Sequence, residues 1–229
     1  MKKSLVIGLA GLAALITGSV AQAGDYAFST DLTFASKYVF RGLQAGDNSL
    51  QPSLEVTKDE FYAGVWAEQP LENRSSRGWG DEVDFYAGYT PKITDTVTLD
   101  LGATHYYYPT SDSTTEAFVG ANVTLDKFTP GVYTYYDFDL KAFTVQGNLG
   151  FSIPMDAAGT SLDLSASIGH VSRDSDNGPS YTYYSAGVSV PYKLNEHATV
   201  KVGVNWATHT LDGVEKNHLW FTAGLTVGF

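Results

Sequence analysis

Residues His218–Phe229 read HLWFTAGLTVGF. Leu219, Phe221, Ala223, Leu225, Val227 and Phe229 place an apolar side chain at every second position, with Trp220, Thr222, Gly224, Thr226 and Gly228 between them. A period of two belongs to a β-strand with two unlike faces. The sequence then closes on an aromatic residue, where a soluble domain usually frays into water.

The opposite end of the chain sets the compartment. Lys2 and Lys3, an apolar run over Leu5–Ile16 and the small-x-small triplet Ala21-Gln22-Ala23 have the layout of a signal peptide spanning 1–23. The apolar run is shorter than the roughly 18–20 residues a spanning helix needs. The expected mature unit is 24–229, a single domain. An exported chain ending in an alternating strand and a terminal Phe has the form of an outer-membrane barrel-assembly signal. Phe221, Leu225, Val227 and Phe229 are its candidate residues.

Alternating segments recur from residue 25 onward, each bounded by turn-type clusters. The pattern predicts twelve strands. They cover Tyr26–Arg41, Leu50–Lys58, Phe61–Gln69, Glu82–Thr90, Val97–Tyr108 and Glu116–Leu125. The others cover Pro130–Asp139, Ala142–Ile153, Leu162–His170, Tyr181–Val190, Ala198–Thr208 and His218–Phe229. Strand one sets Phe28, Leu32, Phe34, Tyr38 and Phe40 against Asp31, Thr33, Lys37 and Arg41. Long and short connections roughly alternate, and no segment has a helical period. An even strand count, short turns on one side and long loops on the other predict an all-β fold: a transmembrane antiparallel barrel in the outer membrane of a Gram-negative cell. The expected partners are outer-membrane lipid and the barrel-assembly machinery. A soluble periplasmic β-sandwich or barrel is the competing fold, because alternation alone leaves the direction of each face open.

Charge bounds the function. The chain has 14 Lys and Arg against 25 Asp and Glu, and the leader carries two of the lysines, leaving 12 against 25, or −13. This balance argues against nucleic-acid binding, which needs a basic surface. There is no cysteine, hence no disulfide.

Four stretches resemble a known family: SKYVFRG at Ser36–Gly42, FYAGVWA at Phe61–Ala67, DFYAGY at Asp84–Tyr89 and YYYP at Tyr106–Pro109. They are similar to the TorF family, a proteobacterial family of unknown function read as porins. The resemblance covers Phe34–Pro109 best. It implies an outer-membrane barrel and a channel, and it supplies no catalytic residue.

Twelve strands about 4.8 Å apart and tilted by roughly 40° give a backbone diameter of about 24 Å. Side chains then either leave a passage on the order of 10 Å or fill it. The polar parities put Asp31, Glu55, Glu68, Glu82, Asp84, Asp100, Glu116, Asp137 and Asp163 in the lumen, opposed by Lys37, Arg41 and Lys201. An excess of lumen carboxylate predicts a passive channel for a small polar solute with mild cation preference. A closed structural barrel in which these charges pair is the alternative. Arg41 is the candidate to hold Glu55, Glu68 or Glu82 through its fork, or else to face water at the rim.

An enzyme is the third class. His170-Val171-Ser172 puts a base and a nucleophile on the lipid-facing parity, as a membrane-barrel lipase needs, but no carboxylate or amide stands ready to orient the histidine. Asp174–Gly178 lacks ligands of a calcium loop. His209 and His218 flank one loop and are otherwise isolated, so no cofactor and no metal site is expected.

Overall fold

The computed structural model describes residues 22–23, 25–71, 81–174, 176 and 178–229. Within them, twelve antiparallel strands close into one ring. They are β1 (Tyr26–Ala35), β2 (Ser49–Lys58), β3 (Phe61–Pro70), β4 (Glu82–Tyr89), β5 (Val97–Tyr107), β6 (Thr114–Val123), β7 (Phe128–Asp137), β8 (Ala142–Met155), β9 (Thr160–Arg173), β10 (Tyr181–Lys193), β11 (Ala198–His209) and β12 (Asn217–Gly228). Each pairs with its sequence neighbour, and β12 pairs with β1 from Gly228↔Ser29 to Thr222↔Ala35. Beyond the last pair, Phe28 and Phe229 exchange backbone hydrogen bonds of 3.1 and 2.8 Å. Most connections at the end bearing Phe28 and Phe229 are short, such as Asp59-Glu60, while most of those at the opposite, loop end are longer. Residues 1–21 of the predicted leader and most of the predicted Pro70–Gly80 loop lie outside the described residues.

Burial decides between the two candidate folds. The exposed side chains include Leu32, Leu54, Phe85, Leu101, Val119, Val132, Phe143, Ile168, Val202, Leu219 and Phe221. The buried ones include Glu68, Glu82, Asp84, Asp100, Glu116, Asp137, Gln146, His209 and His218. A soluble β-barrel has the reverse arrangement. An apolar outer wall around a polar interior is what lipid demands of a closed sheet. Aromatic residues thicken this wall at both ends. Phe61 meets Tyr89 at 4.6 Å and Phe128 meets Phe151 at 4.5 Å at the turn end; Tyr136 meets Phe138 at 5.2 Å at the loop end. Such rings suit the two membrane–water interfaces.

Most predicted strand limits shift by one or two residues, and three shifts stand out. β10 runs through Pro191 to Lys193, β9 continues to Arg173, and β7 covers 128–137 rather than 130–139. Proline lacks a backbone donor, but Pro191 still pairs with Lys201 in register, so ring closure overrides the local break.

The larger correction concerns strand one. It stops at Ala35, not Arg41. Ser36 ends the seam: its amide donates to the Phe221 carbonyl, and its hydroxyl accepts from the Phe221 amide, both at 3.0 Å. The chain then leaves the wall and makes a small hairpin, Tyr38–Phe40 with Leu43–Gly46, inside the barrel. Phe40 pairs with Leu43, and between them Arg41 and Gly42 both have positive φ, 42° and 80°. Two consecutive positive φ values make the tight turn whose twist suits a hairpin. Tyr38 and Phe40 are therefore buried within the lumen and do not face lipid.

Candidate functional site

The hairpin crosses the lumen near its loop end and touches opposite walls. On one side Tyr38 packs on Trp66 of β3 at 5.6 Å, and its hydroxyl donates to Glu82 of β4 at 2.9 Å. Tyr108, just past β5, donates to the other Glu82 oxygen at 3.0 Å. On the far side a Cβ added at Gly42 would sit 2.7 Å from the Thr208 carbonyl of β11 and 2.7 Å from Tyr183 Cβ of β10. Only glycine combines that approach with a φ of +80°.

Arg41 fastens the tip. Its two terminal nitrogens donate to the two oxygens of Glu116 on β6, each at 2.9 Å. The guanidinium lies 4.6 Å from the Tyr135 ring centroid and 4.8 Å from that of Phe40. Burial opposes the charge, but Glu116 outweighs it, so the guanidinium pKa is raised and the group stays ionised. Arg41 is thus neither a strand residue nor a rim cation, and its partner is Glu116 rather than Glu55, Glu68 or Glu82. Barrel closure brings the pair together from positions 75 apart in sequence.

The other predicted lumen residues divide into two groups. Glu68, Glu82, Asp84, Asp100, Glu116 and Asp137 are at most 4% exposed. Asp100 accepts from Tyr62 at 2.9 Å and Tyr133 at 3.1 Å, and Asp137 accepts backbone N–H groups of Asp139 and Leu140 at 3.0 and 2.7 Å. Asp31, Glu55, Asp163 and Lys201 are only half-buried. Thr226 donates to Asp31 at 2.8 Å, Tyr86 to Glu55 at 3.0 Å, and Ser152 to Asp163 at 2.7 Å. Asp31 and Asp163 are the carboxylates that bear on Lys201. Lys37, half-buried, follows β1 ahead of the hairpin. In the seam strand, Phe221, Leu225 and Phe229 are exposed and Val227 is half-buried.

Tyrosine is the component that charge counting missed. Tyr62 stands opposite Gly88, Tyr86 opposite Gly64 and Tyr133 opposite Gly120. Each ring covers its partner so closely that a Cβ there would lie 2.3–2.4 Å from it. The alternating Tyr/Gly positions were the available signal. These rings pave the β3–β7 wall and shield its carboxylates.

His170 and Ser172 are both exposed, as the parity requires, and His170 Nδ1 lies 2.9 Å from Thr182 Oγ1. Among the described residues no group of three His, Cys, Asp or Glu side chains is placed to hold a metal. The His209 and His218 rings do approach, at 6.2 Å. Ser175 and Asn177 of the 174–178 loop lie outside the described residues.

A family model for a bacterial protein of unknown function, Gcw_chp, matches residues 19–225. The chain belongs to the Gcw_chp family. No curated protein matches the sequence. Solved barrels share the fold of this Gcw_chp chain. A KdgM porin is similar with a TM-score of 0.60 and 12% identity, over 88% of this chain and 99% of the porin. The NanC porin gives 0.59 and 10%, over 86% and 98%. An outer membrane channel from Pseudomonas putida F1 gives 0.57 and 9%, over 91% and 97%. At these identities the likeness establishes architecture, and chemistry has to come from the lumen itself.

Proposed function

We propose that this protein is an outer-membrane channel for passive passage of small polar solutes, closed by the Tyr38–Gly46 hairpin in the conformation described here. The observation that carries the reading is the hairpin itself: a thirteen-residue connection between β1 and β2, residues 36–48, folded into a polar lumen. A barrel needing only a filled core has no use for a separate segment held there by a buried ion pair. The porin-like fold and the TorF-like stretches agree with a channel. The signal-peptide-like pattern of residues 1–23 supports an export path, and on this reading outer-membrane lipid surrounds the wall and the barrel-assembly machinery acts on the terminal strand.

Cation preference is mild on this reading. Six of the nine lumen carboxylates are sequestered beneath tyrosines and the hairpin. Glu55, Asp31 and Asp163, set against Lys201, are left to act on a passing solute. Catalysis has no place in this assignment, since among the described residues the ring of His170 meets the Thr182 hydroxyl rather than an acid.

Refolded protein in liposomes tests the proposal through swelling with neutral sugars of graded size, alongside reversal potentials in a KCl gradient. Size-limited uptake with a small shift toward the cation potential supports it. A correctly folded, heat-modifiable barrel that admits no solute, even under voltages that displace porin loops, would sink it. A specific observation favours the closed barrel as second reading: the buried set at the loop end draws residues from all twelve strands.

A further inference from the structure

The lumen has two unlike halves. Mid-strand inward residues on β4–β7 are covered: Tyr86 is 8% exposed, Asp100 1%, Thr104 1% and Tyr133 2%. Most of their counterparts on β8–β12 are short and half-buried, namely Asn148, Ser167, Ser185, Asn205 and Thr222; Trp220, opposite Asn205 on the same parity, is the bulky exception. Ser165 is exposed, although it shares the inward parity of Asp163 and Ser167 and flanks Gly187 on the lumen side. The Ser167 and Ser185 hydroxyls bond to each other at 2.6 Å, flat along the wall. Water-accessible space therefore lies off the barrel axis, toward β8–β12 and the adjoining β1–β2, where Thr33, Gln51 and Ser53 are also half-buried.

This space is closed toward the loops by apolar groups. Ala142, Val171, Tyr181, Tyr183 and Leu211 form one buried cluster, with Leu43 and Leu140 packed against it. Leu43 comes from the hairpin, Leu140 from the β7–β8 loop and Leu211 from the β11–β12 loop. Three separate segments thus send a leucine to one spot. His209 sets the third: its Nδ1 accepts from the Leu211 amide at 3.2 Å, and its Nε2 lies 2.8 Å from the Glu215 carbonyl oxygen. A patch of aliphatic side chains across a narrow hydrophilic conduit expels water and blocks polar solutes without any charge.

Resting on the channel reading, we propose that solutes pass along the hydroxyl- and amide-lined β8–β12 wall, and that Leu43, Leu140 and Leu211 form a hydrophobic gate across this route. The solute class it suits is small, neutral and rich in hydroxyl or amide groups. Apart from Trp220, the lining offers short hydrogen-bonding side chains, and its nearest charges, Lys201 with Asp31 and Asp163, leave a single net negative charge. The hairpin acts on the gate mechanically, because moving its tip withdraws Leu43.

The natural absence of cysteine makes the test direct. Ser185→Cys and Thr104→Cys barrels are exposed, folded, to a charged methanethiosulfonate reagent, with labelling read by intact mass. Ser185→Cys should react at least tenfold faster. Planar-bilayer conductance is then recorded for Leu43→Ser, Leu211→Ser and Arg41→Ala. Both serine variants should open more often than the parent, and labelling Ser185→Cys in the Leu43→Ser background should cut the current. Equal labelling at the two positions would overturn the off-axis route. Currents in Arg41→Ala without any in the serine variants would overturn the gate and leave the channel standing. Silence in all three variants, in barrels shown to be folded by gel shift, would overturn the channel and the gate together.

Discussion

Replacing Arg41 by alanine is the perturbation with the largest predicted effect on closure. The guanidinium is 3% exposed and its Glu116 partner 1%. Removing one member of a buried, hydrogen-bonded ion pair leaves the other uncompensated and costs about 3–5 kcal/mol. Loss of the contact over the Tyr135 ring adds about 0.5–2 kcal/mol. Alanine at φ 42° keeps the backbone strain of that position, so the strain does not offset the loss. The barrel wall is untouched, because Arg41 lies outside its strands. The destabilisation should fall on the hairpin and raise the open-to-closed ratio on the order of a hundredfold or more, at about 1.4 kcal/mol per decade. Single-channel recording reads this ratio as open probability, and thermal gel-shift midpoints check that the barrel is intact. The pair Arg41→Met with Glu116→Leu removes both charges and should recover most of the closure, as apolar replacements of buried ion pairs do. An Arg41→Ala barrel with parental open probability, or a double variant as open as the single one, would refute the role assigned to the ion pair.

Other outcomes follow from the same geometry. Gly42→Ala places a Cβ 2.7 Å from the Thr208 carbonyl at a φ of +80°, so it should also raise open probability, with the barrel's melting midpoint unchanged. Lys201→Met leaves Asp31 and Asp163 without their cationic neighbour and should move the reversal potential toward the cation limit, by more than a Glu55→Gln change moves it the other way. Leu101→Arg on the exposed face of β5 should lower folding stability in lipid by about 2–4 kcal/mol at mid-bilayer, measured by urea titration in vesicles. Ser172→Ala should leave hydrolysis of phospholipid micelles at background, equal to the parent.

The wall was legible because its constraint is local. Alternation assigns a face to each residue, and once Leu219 and Phe221 prove to be outside, every other strand inherits its orientation from the pleat. The seam was legible for the same reason, since an even-stranded ring leaves β12 only β1 as its free edge. The hairpin was hidden by the rule that revealed the wall. Tyr38 and Phe40 continue the parity of Leu32 and Phe34, and a small hairpin alternates as a strand does. The Arg-Gly pair at a two-residue turn was the local clue. It was weak because arginine seldom adopts a positive φ. The Glu116 partner was not legible at all: which carboxylate meets Arg41 depends on the width of the ring and the depth at which the hairpin crosses it. Charge counting also overstated the cation field, because it treated carboxylates under tyrosine hydroxyls, such as Asp100, as though they faced water.

Removal of the hairpin tests the closed channel most directly. Residues 38–46 are replaced by a short Gly-Ser linker that spans the gap between Lys37 and Asp47, and the refolded barrel is compared with the parent in planar bilayers. The parent should show rare, brief openings, and the shortened barrel long-lived steps of high conductance. A shortened barrel that retains heat-modifiable gel mobility yet passes no more current than the parent would contradict a lumen held closed by Tyr38–Gly46.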